Sequence, residues 1–152
     1  MNLSLNLNKI ALLRNARGDN YPDLEEYALR AIELGVDGLT LHPRPDQRHA
    51  TCEDVLTISN ICKEKSVEFN IEGNPFSKAT DNYDGFVDLV KLSSPDQVTL
   101  VPDDPDQITS DHGWNVESCN ESLSLVIKEI TNSSPKARIS LFIDNILNDT
   151  IN

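Results

Sequence analysis

Leu3, Leu5 and Leu7 alternate with Ser4, Asn6 and Asn8, a period of two that predicts a strand with one apolar and one polar face. The alternation returns over residues 38–42, 67–72, 97–101 and 138–144. Between these runs the period becomes helical. Asp23 can cap a helix opening after Pro22, with Glu26 three residues on completing a box-like signal; Leu24, Tyr27, Ala28, Ala31 and Ile32 share a face, and Gly35 ends it. From Thr51 a second helix turns Val55, Ile58 and Cys62 inward and carries Lys63 and Lys65 near its carboxyl end, where the helix dipole favours cations. Tyr83, Phe86, Val87 and Val90 predict a third helix before Pro95, and Leu123, Val126, Ile127 and Ile130 a fourth. Residues 9–20 are too basic and too weakly periodic for a buried helix, so they read as a long loop, a length at which loops are commonly functional.

Regular alternation of strand and helix calls for a parallel sheet, and strands two, three and four recur at about the 30-residue length of one βαβ unit. In a doubly wound sheet helices cover both faces, and strands tend to be continuously apolar. Here Thr40 and His42, Asn70 and Glu72, Gln97 and Thr99, and Ser140 and Asp144 share a side. Opposite them stand Leu39 and Leu41, Phe69 and Ile71, Val98 and Leu100, and Ile139 and Leu141. Helices would cover the apolar side, and the polar side would face a barrel lumen. The expected fold is therefore α/β, a TIM (β/α)8 barrel present as an incomplete barrel of about five parallel β/α units. Closure takes eight strands, so residues 1–152 are expected to form one domain, the amino-terminal portion of a barrel, with strands 6–8 missing and a tail from Asn145 that starts a further connection.

Charge narrows the partners. The net charge of −12 and pI of about 4.5 exclude nucleic acid as the main partner, because phosphate backbones need a basic surface. Residues 1–50 hold six Lys and Arg against seven Asp and Glu, while the remainder holds seven against eighteen. The near-neutral part can thus steer a small phosphorylated substrate. Cys52, Cys62 and Cys119 are an odd count without paired short spacing, which suggests neither a disulfide framework nor a zinc knuckle. With no signal-like amino terminus and no apolar run near the roughly 20 residues of a membrane span, a soluble protein of the reducing cytoplasm is expected.

In barrel enzymes chemistry gathers at the carboxyl ends of the strands. There the chain places Asn6, Asn8 and Lys9, with Arg14 and Arg17 beyond; His42, Arg44 and His49 on a loop stiffened by Pro43 and Pro45; Glu72; Thr109; and Asp144. A histidine and a glutamate on neighbouring strands can share proton transfers once their surroundings tune them. Arginines, an amide and a hydroxyl suit phosphate and carbonyl oxygens. Trp114 reads as a packing anchor for the fourth loop, and Asp103, Asp104 and Asp106 as a solvated edge with turn and cap roles. Two other readings stay open at this level. His42, His49 and Glu72 could be zinc ligands of a metal-dependent hydrolase, although neighbouring arginines would repel the cation. Alternatively, a partial barrel could serve as a non-catalytic interaction fragment, associating through its open edge.

Four ordered runs carry a resemblance: Asn6-Leu-Asn-Lys-Ile-Ala-Leu-Leu-Arg-Asn-Ala-Arg-Gly18, Gly35-Val-Asp-Gly-Leu-Thr-Leu-His-Pro-Arg-Pro-Asp-Gln-Arg-His49, Glu68-Phe-Asn-Ile-Glu-Gly73 and Gln97-Val-Thr-Leu-Val-Pro-Asp103. Together they resemble the pyridoxine 5′-phosphate synthase family from about Leu3 to Asp144, the first three-fifths or so of a full member. The resemblance implies a TIM barrel that condenses 1-deoxy-D-xylulose 5-phosphate with 3-amino-2-oxopropyl phosphate, releasing phosphate and water. It implies no metal or organic cofactor, and homo-oligomers built from whole barrels. Carried over by motif, His42 is a general base and Glu72 a second acid/base group. Asn6 and Arg17 hold the amino-ketone phosphate, while Asn8, Lys9, Arg44, His49 and Thr109 hold the sugar phosphate. At Asn8 and Lys9 many members carry Asp followed by His, so Lys9 supplies charge in place of a ring. The family's late strands provide a further glutamate, a general-acid histidine and glycine-rich phosphate loops that are not found in this sequence, so little catalysis is expected from the 152 residues alone.

Overall fold

The computed structural model describes residues 2–104, 107–115 and 121–143. The elements run β1 (Ser4–Asn6), α1 (Asn8–Arg17), α2 (Leu24–Glu33), β2 (Gly38–Leu41), α3 (Cys52–Lys65), β3 (Glu68–Gly73), α4 (Phe86–Ser93), β4 (Gln97–Leu100), α5 (Glu121–Ser133) and β5 (Arg138–Leu141). The five strands form one sheet in chain order, and every neighbouring pair is parallel. This is the α/β architecture of a partial TIM-type barrel, with β1 and β5 at its two edges.

The two faces of the sheet divide as the alternation requires. Leu39, Leu41, Phe69, Ile71, Val98 and Leu100 are buried in one core with Leu24, Ala28 and Ala31 of α2, Val55, Ile58 and Cys62 of α3, and Phe86, Leu89 and Val90 of α4. On the other face polar side chains bond to each other across the strands. Ser4 Oγ lies 3.1 Å from Thr40 Oγ1, Asn70 Nδ2 donates to Thr40 Oγ1 at 3.3 Å, and Thr99 Oγ1 donates to Asn70 Oδ1 at 3.0 Å. Burial of this face costs little because its groups have partners.

Residues 9–20 depart from the loop expected of them, since α1 occupies most of the stretch. The amides of Ile10 and Ala11 donate to Leu7 O to start it, and Gly18, at φ +71, ends it. Only Asn8 and Ala11 of this helix are buried. A helix resting on so narrow a contact leaves no wide apolar stripe, whereas its Ala, Leu and Arg residues favour the conformation locally. In α2, Asp23 caps as expected, accepting from the amides of Glu25 and Glu26. The stripe that packs is Leu24, Ala28 and Ala31; Tyr27 is 44% exposed instead of inward. Thr51 caps α3 in a reciprocal box with Asp54. Tyr83, expected on the third helix, precedes α4 and is buried in a turn bridged to Thr80, because Gly85 at φ +90 separates the two. The fifth strand stops at Leu141, short of the expected Asp144. Asp106, Cys119 and Asp144 lie outside the described residues. Among the described residues no helix is long and apolar enough to cross a membrane.

At the end of β3 the backbone runs close under α4, and a Cβ on Gly73 would sit 2.4 Å from the Phe86 ring. Phe86 is fully buried and cannot swing aside. Gly73→Ala is therefore expected to lower unfolding stability by about 1–3 kcal/mol, measured as a lower urea midpoint at unchanged m-value. An unchanged midpoint would refute this account of the contact.

Candidate active site

His42 stands one residue beyond β2, and its backbone amide donates to Asn8 Oδ1 at 2.7 Å. The amide of Asn8 donates to Asn6 Oδ1 at 2.9 Å, and Asn6 Nδ2 donates to Glu72 Oε2 at 3.3 Å. The carboxyl ends of β1, β2 and β3 are thereby tied together by two asparagine side chains. Around them opens a cavity of about 310 Å³ lined by Asn6, Asn8, Lys9, His42, Arg44, His49, Glu72, Thr109 and Ser110. Of the nine candidates named from sequence, eight line it. Arg17 does not; it ends α1, with its guanidinium carbon 5.5 Å from the centre of the Tyr21 ring.

The loop after β2 is held from several sides. Asn15 Nδ2 reaches the carbonyls of Gln47, Arg48 and His49 at 3.0, 3.1 and 2.7 Å. Arg14 forms a two-pronged pair with Asp54 at 2.6 and 2.7 Å, which pins α1 to the start of α3. Arg44, 3% exposed, sends Nη1 to the carbonyls of Gln107 and Ile108 and Nη2 to Asp103 Oδ2 and the Asp104 carbonyl. Its guanidinium fastens the fourth loop, which carries Thr109 and Ser110, down beside the cavity.

Asp103 corrects the expectation of a solvated acidic edge. It is 5% exposed, and its Oδ2 lies 3.3 Å from His42 Nε2, 3.0 Å from Arg44 Nη2 and 2.9 Å from Ser110 Oγ. A buried guanidinium needs a buried counter-charge, and Asp103 is the carboxylate within reach. Asp104 is exposed as expected. The signal for Asp103 was its place just past a strand's carboxyl end, the rule that singled out His42. Ser110, Asn15 and Asn74, whose side chain donates to the Asp103 carbonyl at 2.6 Å, carry no comparable mark in the sequence. Trp114 donates Nε1–H to the Leu100 carbonyl at 2.9 Å and meets Phe76 edge to face.

Burial sets the protonation of the pair. It pushes His42 down to about 4; Asp103 opposes this, while Arg44 and His49 add to it. Burial also raises Glu72 to about 7, helped by the Asp103 charge and opposed by the Asn6 hydrogen bond. His49 is lowered as well, by burial and then by Arg44, Lys9 and Arg48. At neutral pH the cavity thus presents a neutral imidazole able to take a proton, a carboxyl near half-protonation able to give or take one, and a cationic side at Lys9 and Arg44. Among the described residues no three His, Cys, Asp or Glu side chains converge as a metal ion would need, and that includes His42, His49 and Glu72.

Fold and cavity together define a protein of the TIM-barrel class with an acid–base pair and an anion-attracting side at the carboxyl ends of its strands. The chain belongs to the family described as pyridoxal phosphate biosynthesis protein PdxJ, which matches residues 3–151. It is 46% identical over 142 residues to the pyridoxine 5′-phosphate synthase of Xanthomonas axonopodis pv. citri (strain 306), covering 93% of this chain and 55% of that protein. It is 47% identical to the pyridoxine 5′-phosphate synthase of Xylella fastidiosa (strain 9a5c), covering 93% and 54%. The chain spans about half the length of the curated relatives it matches.

Glu72 gives a prediction of definite sign. Its folded pKa of about 7 lies above the ordinary value of 4.5, so folding favours the protonated form, and this stabilisation is lost as pH rises from about 4.5 through 7. Glu72→Gln removes the buried charge and is expected to raise stability at pH 8 by on the order of 1–3 kcal/mol, with the gain shrinking below pH 5. Denaturant titrations across this range test it. A gain independent of pH would contradict the assignment.

Proposed function

We propose that this chain contributes the first five units of a pyridoxine 5′-phosphate synthase barrel, a single domain whose cavity binds the two phosphorylated substrates that the family resemblance implies. The observation that carries the reading is the pairing of His42, neutral at pH 7, with Glu72, raised to about 7, in one cavity with a cationic side. Condensing an amine with a ketone needs a proton taken from the nucleophile, one delivered to the departing hydroxyl and another removed from carbon during enolisation. A neutral imidazole and a partly protonated carboxyl can do each near pH 7. In this reading His42 removes protons, and Glu72 returns them and takes them back. Lys9, Arg44 and His49 draw the phosphate of 1-deoxy-D-xylulose 5-phosphate, with Asn8 and Thr109 donating hydrogen bonds. Asn6 and Arg17 receive the phosphate of 3-amino-2-oxopropyl phosphate. The reaction belongs to a cytoplasmic protein that assembles from copies of the whole barrel. Because the span covers about 55% of its relatives, these units by themselves bind substrate and turn it over slowly.

Calorimetric titration and melting with 1-deoxy-D-xylulose 5-phosphate test this directly. At 100 times Kd a ligand specific for the native state stabilises it by about 2.7 kcal/mol, so the melting temperature is expected to rise with this compound and not with its dephosphorylated form. Lys9→Ala is expected to weaken binding about tenfold or more, the worth of one charge-assisted hydrogen bond. In a complete barrel bearing this site, His42→Ala is expected to slow turnover by about 10²–10⁴-fold. Equal responses to the two compounds, or product formed by the 152-residue chain at the rate of an intact enzyme, would overturn the reading.

A further inference from the structure

We propose that Asp103 is a positioning residue that holds His42 in the tautomer carrying its proton on Nε2, so that Nδ1 is the ring atom available to accept a proton. The inference rests on the reading of His42 as the base. It starts from the three-way contact at one carboxylate oxygen, where His42 Nε2, Arg44 Nη2 and Ser110 Oγ all approach Asp103 Oδ2 within 3.3 Å. An ionised carboxylate only accepts hydrogen bonds. A nitrogen facing it is therefore held as N–H, and with the ring neutral the other nitrogen carries the lone pair. The arrangement follows the logic by which a buried carboxylate orients a histidine base in other enzymes, here reached from a loop after β4.

Geometry around the contact makes the orientation firm. His42 and Asp103 are 7% and 5% exposed, so water does not compete freely for the ring. The backbone of His42 is fixed by Asn8 and that of Asp103 by Asn74. Arg44 neutralises the carboxylate and also bonds the carbonyls of Gln107 and Ile108. The same carboxylate thus joins the loop after β2 to the loop after β4, and seating of the fourth loop and direction of the imidazole become one event. The depressed basicity of His42 is consistent with this role, since the ring stays neutral and one tautomer must be chosen.

The test reads the tautomer directly. In the 152-residue chain uniformly labelled with ¹⁵N, the three histidines are assigned, and the imidazole nitrogens of His42 are observed at pH 7. The expected signature is a protonated, pyrrole-like Nε2 and an unprotonated, pyridine-like Nδ1. In Asp103→Ala the two nitrogens are expected to move toward the averaged shifts of a mixed tautomer. Ser110→Ala, which removes a different bond to the same oxygen, is expected to leave them in place. Should Asp103→Ala fail to fold, the unsubstituted chain still decides, because a proton on Nδ1 of its His42 would overturn the proposal. An Asp103→Ala chain that folds and keeps a single Nε2–H tautomer would overturn it as well. The expected tautomer in a chain that binds neither phosphorylated substrate would sink the synthase reading and leave the pairing intact. The opposite tautomer in a chain that binds them would do the reverse.

Discussion

A polar sheet face turned away from water must satisfy its own hydrogen bonds, and that constraint shapes the rest of this molecule. Ser4, Thr40, Asn70 and Thr99 meet it across four parallel strands. Because these groups bond to each other, the strands can carry apolar residues on the opposite side only, and the helices pack there. Toward the carboxyl ends the same polar side passes from structure to chemistry. Asn6 and Asn8 continue the chain of bonds to Glu72 and to the backbone of His42, so the reactive groups extend a network that the sheet already requires.

Burial then acts on these groups in opposite directions. Removal from water disfavours charge, lowering a histidine and raising a glutamate. One cause therefore yields both a base that is free to accept and an acid that still holds a proton, at the same pH. The negative charge that remains in the site sits on Asp103, where Arg44 balances it. The disposition resembles other barrel sites in that loops after neighbouring strands supply the groups while the strands hold them in place.

The fourth loop differs in character from the others. It has no regular element of its own over residues 101–104 and 107–113, and its attachment rests on Arg44 and Arg48 reaching its carbonyls and on Trp114 seated against the end of β4. A loop held by side chains from another loop is more exposed to change than one held by its own backbone. Thr109 and Ser110 lie on it beside the cavity, so the fit around a bound phosphate depends on this cross-loop attachment.

Alternation of residue type carried most of the architecture in the sequence, because a period of two or of 3.6 is a local property that burial of one face imposes at each position. The five strands, four of the helices and the side on which Thr40, Asn70, Glu72 and Thr99 lie were all legible that way. Helix α1 was not, since its contact with the core is too narrow to leave a stripe. Eight candidate residues could be placed in advance by their position at strand ends, yet the sequence held no sign that Asp103 turns inward while Asp104 stays in water. That choice is made by Arg44, a residue 59 positions away along the chain, whose buried charge attracts the carboxylate only once β2 and β4 have been brought to either side of β3. The types of group available were set by the chain itself. Which of them face one another, and so which are charged, was decided by folding, because desolvation and pairing depend on neighbours that the linear order does not name.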